Sequence, residues 1–218
     1  MNQSAGKTAL PAKPAGKYMT GRNRIPYWVK LLYLAWLVVF LPSYWIYHGP
    51  QNLLWLCDAA NIILLFALWR ESALLMSSQA CGVVLVQLVW TLDLLFRLLF
   101  GFHLVGGTEY MFDSSLALWL RFMSLFHVFV PLLLLWGLSR LGYDRRGWKL
   151  ETLVAWLLLP LTFLLTDPAL NINWLWQPFG LPQNLLPPTL FLFLMLLLYP
   201  LIIFYPSHRL LQAMFRSR

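Results

Sequence analysis

Long apolar stretches separated by short polar connections occupy most of this chain. Six can be outlined, at residues 27–47, 51–69, 73–100, 115–139, 150–166 and 188–206. Most reach the roughly 17 to 25 residues that a helix needs to cross the hydrocarbon core of a bilayer, and the fifth is at the short end. The pattern predicts an all-α fold, a polytopic membrane helix bundle of about six transmembrane helices.

The two ends of the chain are polar and basic. Residues 1–24 are rich in Ala, Gly, Pro, Lys and Arg, and they carry too little apolar surface to fold alone. We expect them to form a disordered basic cytosolic tail, followed by the transmembrane bundle at residues 25–207 and a basic cytosolic C-terminal tail at residues 208–218. A cleaved signal peptide is not expected, because no small-x-small site follows the first apolar stretch.

Composition and charge agree with a membrane protein. Of 218 residues, 60% are hydrophobic and 11% are charged, so a soluble domain would lack the polar residues to cover its surface. Of 16 Lys and Arg residues, all but Arg97 and Arg121 belong to the two tails and alternate connections. The positive-inside rule then predicts cytosolic termini, in the cytoplasmic membrane if the protein is bacterial. This topology explains the net charge of +8 without a nucleic-acid partner.

Two residues suited to act as nucleophile and base are predicted at one depth in the membrane. Cys57 stands 13 residues before Arg70. His127 stands 13 residues before Arg140. At ~1.5 Å per residue, both lie about 20 Å from the cytosolic edge. A neighbouring imidazole can take the proton of a thiol, so the pair suits acyl transfer: thiolate attacks an ester carbonyl, a thioester forms, and an alcohol or water resolves it.

Other polar residues are predicted to support this pair. Gln87 and Ser124 fall slightly further from the cytosolic edge, and Asn61 lies one helical turn below Cys57 on the same face. Asp58 is about 100° round the helix from Cys57, so it is poorly placed to touch the same partner. We expect Asp58 to orient another group or to close a structural hydrogen bond.

Three charged residues are predicted nearer the outer interface. Asp93 and Arg97 are four residues apart on one helix, and Arg121 comes to a similar depth. A structural ion pair is the favoured interpretation, with binding of a lipid headgroup or phosphate as the functional alternative. Cys81 is predicted to be an inert packing residue.

No metal or cofactor motif is found in the sequence. The four histidines are scattered, without an H-x-x-x-H pattern or a cysteine cluster. Phosphate-binding glycine loops and G-x-S-x-G elbows are also missing from the sequence. Membrane lipids, as substrate or as ligand, are the expected partners.

Around these residues the sequence resembles a known family. The runs LWLCDAANIILL, LRFMSLFHVFVPLLLLWGLSRLGYDRRGWK and LNINWLW are similar to the YwaF-like bacterial membrane proteins. Those group with the human transmembrane acyltransferase that remodels ether phospholipids. More distant relatives are the androgen-induced-gene/ADTRP hydrolases, which cleave fatty acid esters of hydroxy fatty acids. The resemblance covers roughly residues 50–176.

The resemblance implies a helix bundle with an intramembrane nucleophile and a His on a later helix. Cys57 matches the nucleophile and His127 matches the His. Asp58 stands where the acyltransferase has His, and the first and last apolar stretches match no family motif. The implied function is a lipid acyltransferase or lipid ester hydrolase that works through a thioester.

Two other classes of function fit the same residues. A non-enzymatic lipid or small-molecule binder, or a transporter-like protein, would use the polar layer to hold a ligand or a proton. A structural or assembly subunit would use it only to determine helix pairing. Approach of Cys57 and His127 to within about 4 Å in one cavity would favour the enzyme.

Overall fold

The computed structural model of the protein describes residues 25–215, and within this range every regular element is helical. The α-helices are α1 (Tyr27–His48), α2 (Leu56–Arg70), α3 (Ala73–Phe100), α4 (Leu118–Met123), α5 (Phe126–Leu141), α6 (Gly147–Leu165), α7 (Pro188–Leu198) and α8 (Tyr205–Met214). A π-helical turn, Tyr199–Phe204, joins α7 to α8.

By length and composition, five described stretches could cross a membrane: α1, α3, α4 with α5, α6, and α7 with α8. The predicted fold class is therefore confirmed, and the protein is a multi-pass membrane helix bundle. The tail predicted at residues 1–24 lies outside the described residues. At the other end, α8 continues as helix to Met214, beyond residue 207.

The second apolar stretch forms a shorter helix than the sequence predicts. α2 has 15 residues and starts at Leu56, after a 3₁₀ turn at Pro50–Leu54. The reason is a contact from a distant loop, since the Leu56 N–H donates to the side chain of Asn173 at 2.9 Å. In a longer α-helix that N–H would donate to the Asn52 carbonyl instead.

The fourth apolar stretch is interrupted between α4 and α5. Backbone hydrogen bonds there span three residues rather than four, as in His127 N–H to the Ser124 carbonyl at 3.1 Å. Further on, Pro131 has no N–H to give to the His127 carbonyl. The hydroxyl of Thr91 on α3 donates to that carbonyl at 3.3 Å. This break sets His127 in the first turn of α5.

α3 is the central helix and contacts α2, α5, α6 and α8. The larger apolar core is formed mainly by α1, α2, α3 and α5. A smaller core joins the start of α2 to α6, α7 and the π-helical turn.

One end of the bundle gathers the basic connections, and we call it the basic end. There Lys30 on α1 pairs with Glu71 after α2 at 2.8 Å. The Asp144 N–H, in the α5–α6 connection, donates to the Ser77 hydroxyl near the start of α3 at 2.8 Å. The opposite end, which we call the loop end, consists of residues 49–55, 101–117 and 166–187. The basic connections lie together at one end of the bundle, as the sequence predicts. That this end is cytosolic stays a prediction.

Glycines let α3 and α6 pack closely near the basic end. Gly82 on α3 leaves room for the buried carboxyl of Glu151 on α6. That carboxyl accepts hydrogen bonds from Ser78 at 2.6 Å and from Gln79 at 2.9 Å. At the start of α6, a Cβ on Gly147 would stand 2.7 Å from the backbone carbonyl carbon of Ser77.

Replacing Gly147 by alanine is therefore expected to lower the free energy of unfolding by about 1 to 3 kcal/mol, because backbone cannot yield as a flexible side chain would. Denaturant titration of the protein in detergent micelles measures this change. Gly107→Ala is the matched control, since its added Cβ meets nothing within 4 Å. Equal stability of the two variants would contradict the close α3–α6 contact.

Candidate functional site at the start of α2

Cys57 occupies the first turn of α2. It is partly exposed, whereas Leu56 and Asp58 on either side are buried. Most backbone N–H groups of this turn already have acceptors, since Leu56 N–H donates to the Asn173 side chain and the N–H groups of Asp58 and Ala59 donate to the Trp55 carbonyl.

Asn61 holds the first turn from below. Its side-chain N–H donates to the Cys57 carbonyl at 3.0 Å, and its side-chain oxygen accepts the Tyr33 hydroxyl at 3.0 Å. Asn61 is completely buried, so these bonds tie α2 to α1 inside the apolar core.

Asn173, in the α6–α7 connection, holds the same turn from above. Its side-chain oxygen accepts the Leu56 N–H at 2.9 Å, and its side-chain N–H groups donate to the Leu54 carbonyl at 2.8 Å and the Thr162 hydroxyl at 3.2 Å. The Tyr199 hydroxyl donates to its backbone carbonyl at 2.8 Å. Asn173 is 2% exposed and has φ of 55°, a conformation that Asn adopts more readily than most residues.

Three tyrosines lie in the same region of the bundle as Cys57: Tyr44, Tyr110 and Tyr199. The Tyr44 hydroxyl is hydrogen-bonded to the Ser124 hydroxyl at 2.9 Å. Burial raises the pKa of Tyr110 above its ordinary value, so its hydroxyl keeps its proton and remains a donor.

Asp58 follows Cys57 in the first turn of α2, and its side chain accepts a hydrogen bond from Asn52. No hydrogen bond among residues 25–215 gives the side chains of Cys57 and Asp58 a common partner. That Asp58 is poorly placed to touch the partner of Cys57 stays a prediction.

The carboxyl of Asp58 is only half satisfied. One oxygen, Oδ2, accepts a hydrogen bond from the Asn52 side chain at 2.9 Å. The other, Oδ1, is buried and has no hydrogen-bond partner among residues 25–215. On α3, Gln87 is likewise fully buried, and neither polar atom of its side chain finds a partner in this range.

His127 is oriented by its surroundings. Its ring stacks on Phe126 and on Trp90, with centroids 4.0 and 4.5 Å apart. Its Nδ1 lies 2.8 Å from the Ser124 carbonyl. A carbonyl oxygen can only accept, so Nδ1 carries the hydrogen and the Nε2 lone pair of the neutral ring is available as a base.

No hydrogen bond joins Cys57 to His127 in the described part of the chain. Ser124 bonds to the His127 ring by its carbonyl and to Tyr44 by its hydroxyl, but no hydrogen bond in residues 25–215 continues from Tyr44 to Cys57. The direct pair expected from equal depth is therefore not formed by a hydrogen bond. A depth count cannot detect this difference, because it ignores the direction in which each side chain points.

The carboxylate of Asp93 organises the loop after α3. Its two oxygens accept the backbone N–H groups of Val105 at 2.7 Å, Gly106 at 3.3 Å and Thr108 at 3.1 Å. The Thr108 hydroxyl and the His103 ring complete the set. Asp93 is therefore a structural anchor for residues 103–108.

The predicted ion pair of Asp93 is wrong for residues 25–215, in which no salt bridge joins it to Arg97 or Arg121. Arg97 donates to the Gly101 carbonyl, and Arg121 donates to the Met111 carbonyl at 3.0 Å. The loop folds back over the end of α3 and supplies nearer partners to all three residues.

The second cysteine differs from Cys57. Cys81 is completely buried at the basic end, and its sulfur lies 3.2 Å from the Tyr143 hydroxyl.

Residues 25–215 contain no group of three or more His, Cys, Asp or Glu side chains placed to hold a metal ion.

The sequence did not reveal Tyr44, Tyr110 or Asn173 as members of the site. Tyr44 reaches Ser124 across 80 residues, and Asn173 reaches Leu56 across 117. Such contacts leave no periodic signal in one sequence.

No protein-family model, curated protein or solved structure matches this chain. Its function has to be inferred from the site itself.

Proposed function

We propose that this integral membrane protein transfers or hydrolyses the acyl group of a membrane lipid, with Cys57 as the nucleophile. The observation that carries the proposal is a partly exposed cysteine in the first turn of α2, a turn that Asn61 and Asn173 hold in place by hydrogen bonds. The positive end of the α2 dipole favours the thiolate and the oxyanion that its attack creates.

The proposed reaction has two halves. The Cys57 proton passes to Nε2 of His127, the sulfur bonds to the ester carbonyl carbon, and the ester C–O bond breaks to release an alkoxide, which takes up a proton from a nearby acid and leaves as the alcohol. Water or a second alcohol then attacks the thioester and gives its proton back to the base so formed. The C–S bond breaks, and the sulfur regains its proton from His127. Because Cys57 and His127 share no hydrogen bond, the proton needs a bridging hydroxyl or water; Tyr44 and Ser124 supply hydroxyls in this region.

A second candidate is a protein that binds a lipid or small molecule without reacting with it. The specific observation in its favour is that Oδ1 of Asp58 and both side-chain polar atoms of Gln87 are buried without a hydrogen-bond partner among residues 25–215. Bound polar groups would satisfy them. In that case Cys57→Ser retains function, whereas substitution of Asp58 destroys it.

Labelling with an activated acyl ester tests the enzyme. Purified protein in micelles is incubated with an alkynyl p-nitrophenyl decanoate, and the attached acyl group is detected before and after hydroxylamine, which cleaves thioesters. We expect Cys57→Ala to reduce hydroxylamine-sensitive labelling at least about tenfold, because the nucleophile is lost.

Cys81→Ala is the matched control and should label like the wild type, since its sulfur is buried beside Tyr143. Equal labelling of wild type and Cys57→Ala would rule out Cys57 as the nucleophile.

A further inference from the structure

Asp58 has a buried oxygen whose presence the fold does not explain. The residue is 2% exposed, and Asn52 satisfies only Oδ2. Oδ1 has no hydrogen-bond partner in the described chain. A buried polar atom without a partner is costly, and in a native protein it points to a bound group.

The surroundings of Asp58 suggest the chemistry of that group. Asp58 directly follows Cys57 in the first turn of α2, so a molecule reacting at the sulfur also comes close to the carboxyl. A carboxyl oxygen accepts a hydrogen when ionised and can donate one when protonated. A hydroxyl group matches both states, because it is donor and acceptor in turn.

Resting on the proposed function, we propose that Oδ1 of Asp58 binds the oxygen of the departing alcohol and then the hydroxyl of the acyl acceptor, and moves one proton between them. The ligand class is an aliphatic alcohol, such as a lipid hydroxyl, or water in its place. Asp58 is thereby a catalytic residue of both halves of the reaction.

The protons balance over the two halves of the reaction. As the ester C–O bond breaks, protonated Asp58 gives its proton to the departing alkoxide and becomes a carboxylate. As the acceptor oxygen bonds to the thioester carbon, its proton passes to this carboxylate and the C–S bond breaks. Cys57 leaves as thiolate and regains the proton held by His127.

Asp58→Asn separates the two halves. The amide oxygen can still accept from Asn52, but the side chain can no longer carry a proton. With p-nitrophenyl decanoate the leaving group needs no proton, so the first half proceeds. We expect a burst of about one nitrophenolate per protein to remain and steady turnover to fall at least about 10²-fold, with the acyl group trapped on Cys57.

Two small molecules added to the assay test whether the Asp58 variants lack only the proton-transfer group. Hydroxylamine attacks thioesters without a base and should restore turnover of Asp58→Asn. Formate should restore turnover of Asp58→Ala, in which the shortened side chain leaves room for a small acid. In the wild type, addition of a lysophospholipid distinguishes a lipid acceptor, seen as a new diacyl product, from water, seen as free decanoate.

Asp113→Asn is the matched control, because it makes the same change at an exposed aspartate outside this site. Its turnover should match that of the wild type. Turnover of Asp58→Asn at the wild-type rate, or a loss of turnover that neither hydroxylamine nor formate reverses, would overturn the role of Asp58. Absence of acyl-Cys57 from the wild type would instead overturn the proposed function.

Discussion

Replacing Asp93 by alanine is expected to lower the free energy of unfolding by about 3 to 5 kcal/mol, among the largest effects of a single substitution in this protein. The carboxylate accepts three backbone N–H groups, from Val105, Gly106 and Thr108. Thr108 is fully buried, so water cannot replace its lost partner. The measurement is denaturant titration in micelles, together with limited proteolysis of residues 101–117.

The control for Asp93 is another aspartate close in sequence. Asp113 is exposed, and its side chain accepts the N–H of Ser115, two residues further on, at 2.8 Å. Asp113→Ala should change the free energy of unfolding by less than about 0.5 kcal/mol, as usual for surface positions. If Asp93→Ala were as stable as Asp113→Ala, Asp93 would not anchor the loop.

Replacing Asn173 by alanine is expected to cost about 2 to 4 kcal/mol, since the Leu56 N–H and the Leu54 carbonyl lose their side-chain partners. The start of α2 should then open more often, and alkylation of Cys57 by a maleimide should become faster. Both quantities can be followed on one sample, by unfolding and by the labelling rate.

Asn184→Ala provides the comparison for Asn173. Asn184 lies in the same connection and is exposed. We expect its unfolding and its Cys57 labelling rate to match the wild type. A labelling rate unchanged in Asn173→Ala would show that α2 starts at Leu56 without help from this loop.

The architecture could be predicted from sequence because hydropathy is a local property. A run such as residues 73–100 is long and apolar enough to require a membrane, and α3 occupies the same residues. The basic connections also meet at one end, as alternating loops demand. Both inferences can be made without information about which helices pack against each other.

The arrangement of the site depended on contacts that local patterns cannot contain. Hydropathy predicts a helix from residue 51, but α2 begins at Leu56, where the side chain of Asn173 accepts the N–H. Asp93 and Arg97 are correctly spaced for an ion pair, but backbone N–H groups of the next loop reach the carboxylate instead. In both cases a loop, whose path hydropathy does not report, supplies the partner.

The contact between Asn173 and Leu56 also bears on the order in which the molecule assembles during synthesis. When α2 leaves the ribosome, the residue that accepts its first N–H is still 117 residues from being made. Until α6 and the following connection have emerged, that N–H must rely on water or a temporary acceptor. The turn that carries Cys57 therefore reaches its final form late in biosynthesis, after most of the bundle has been inserted.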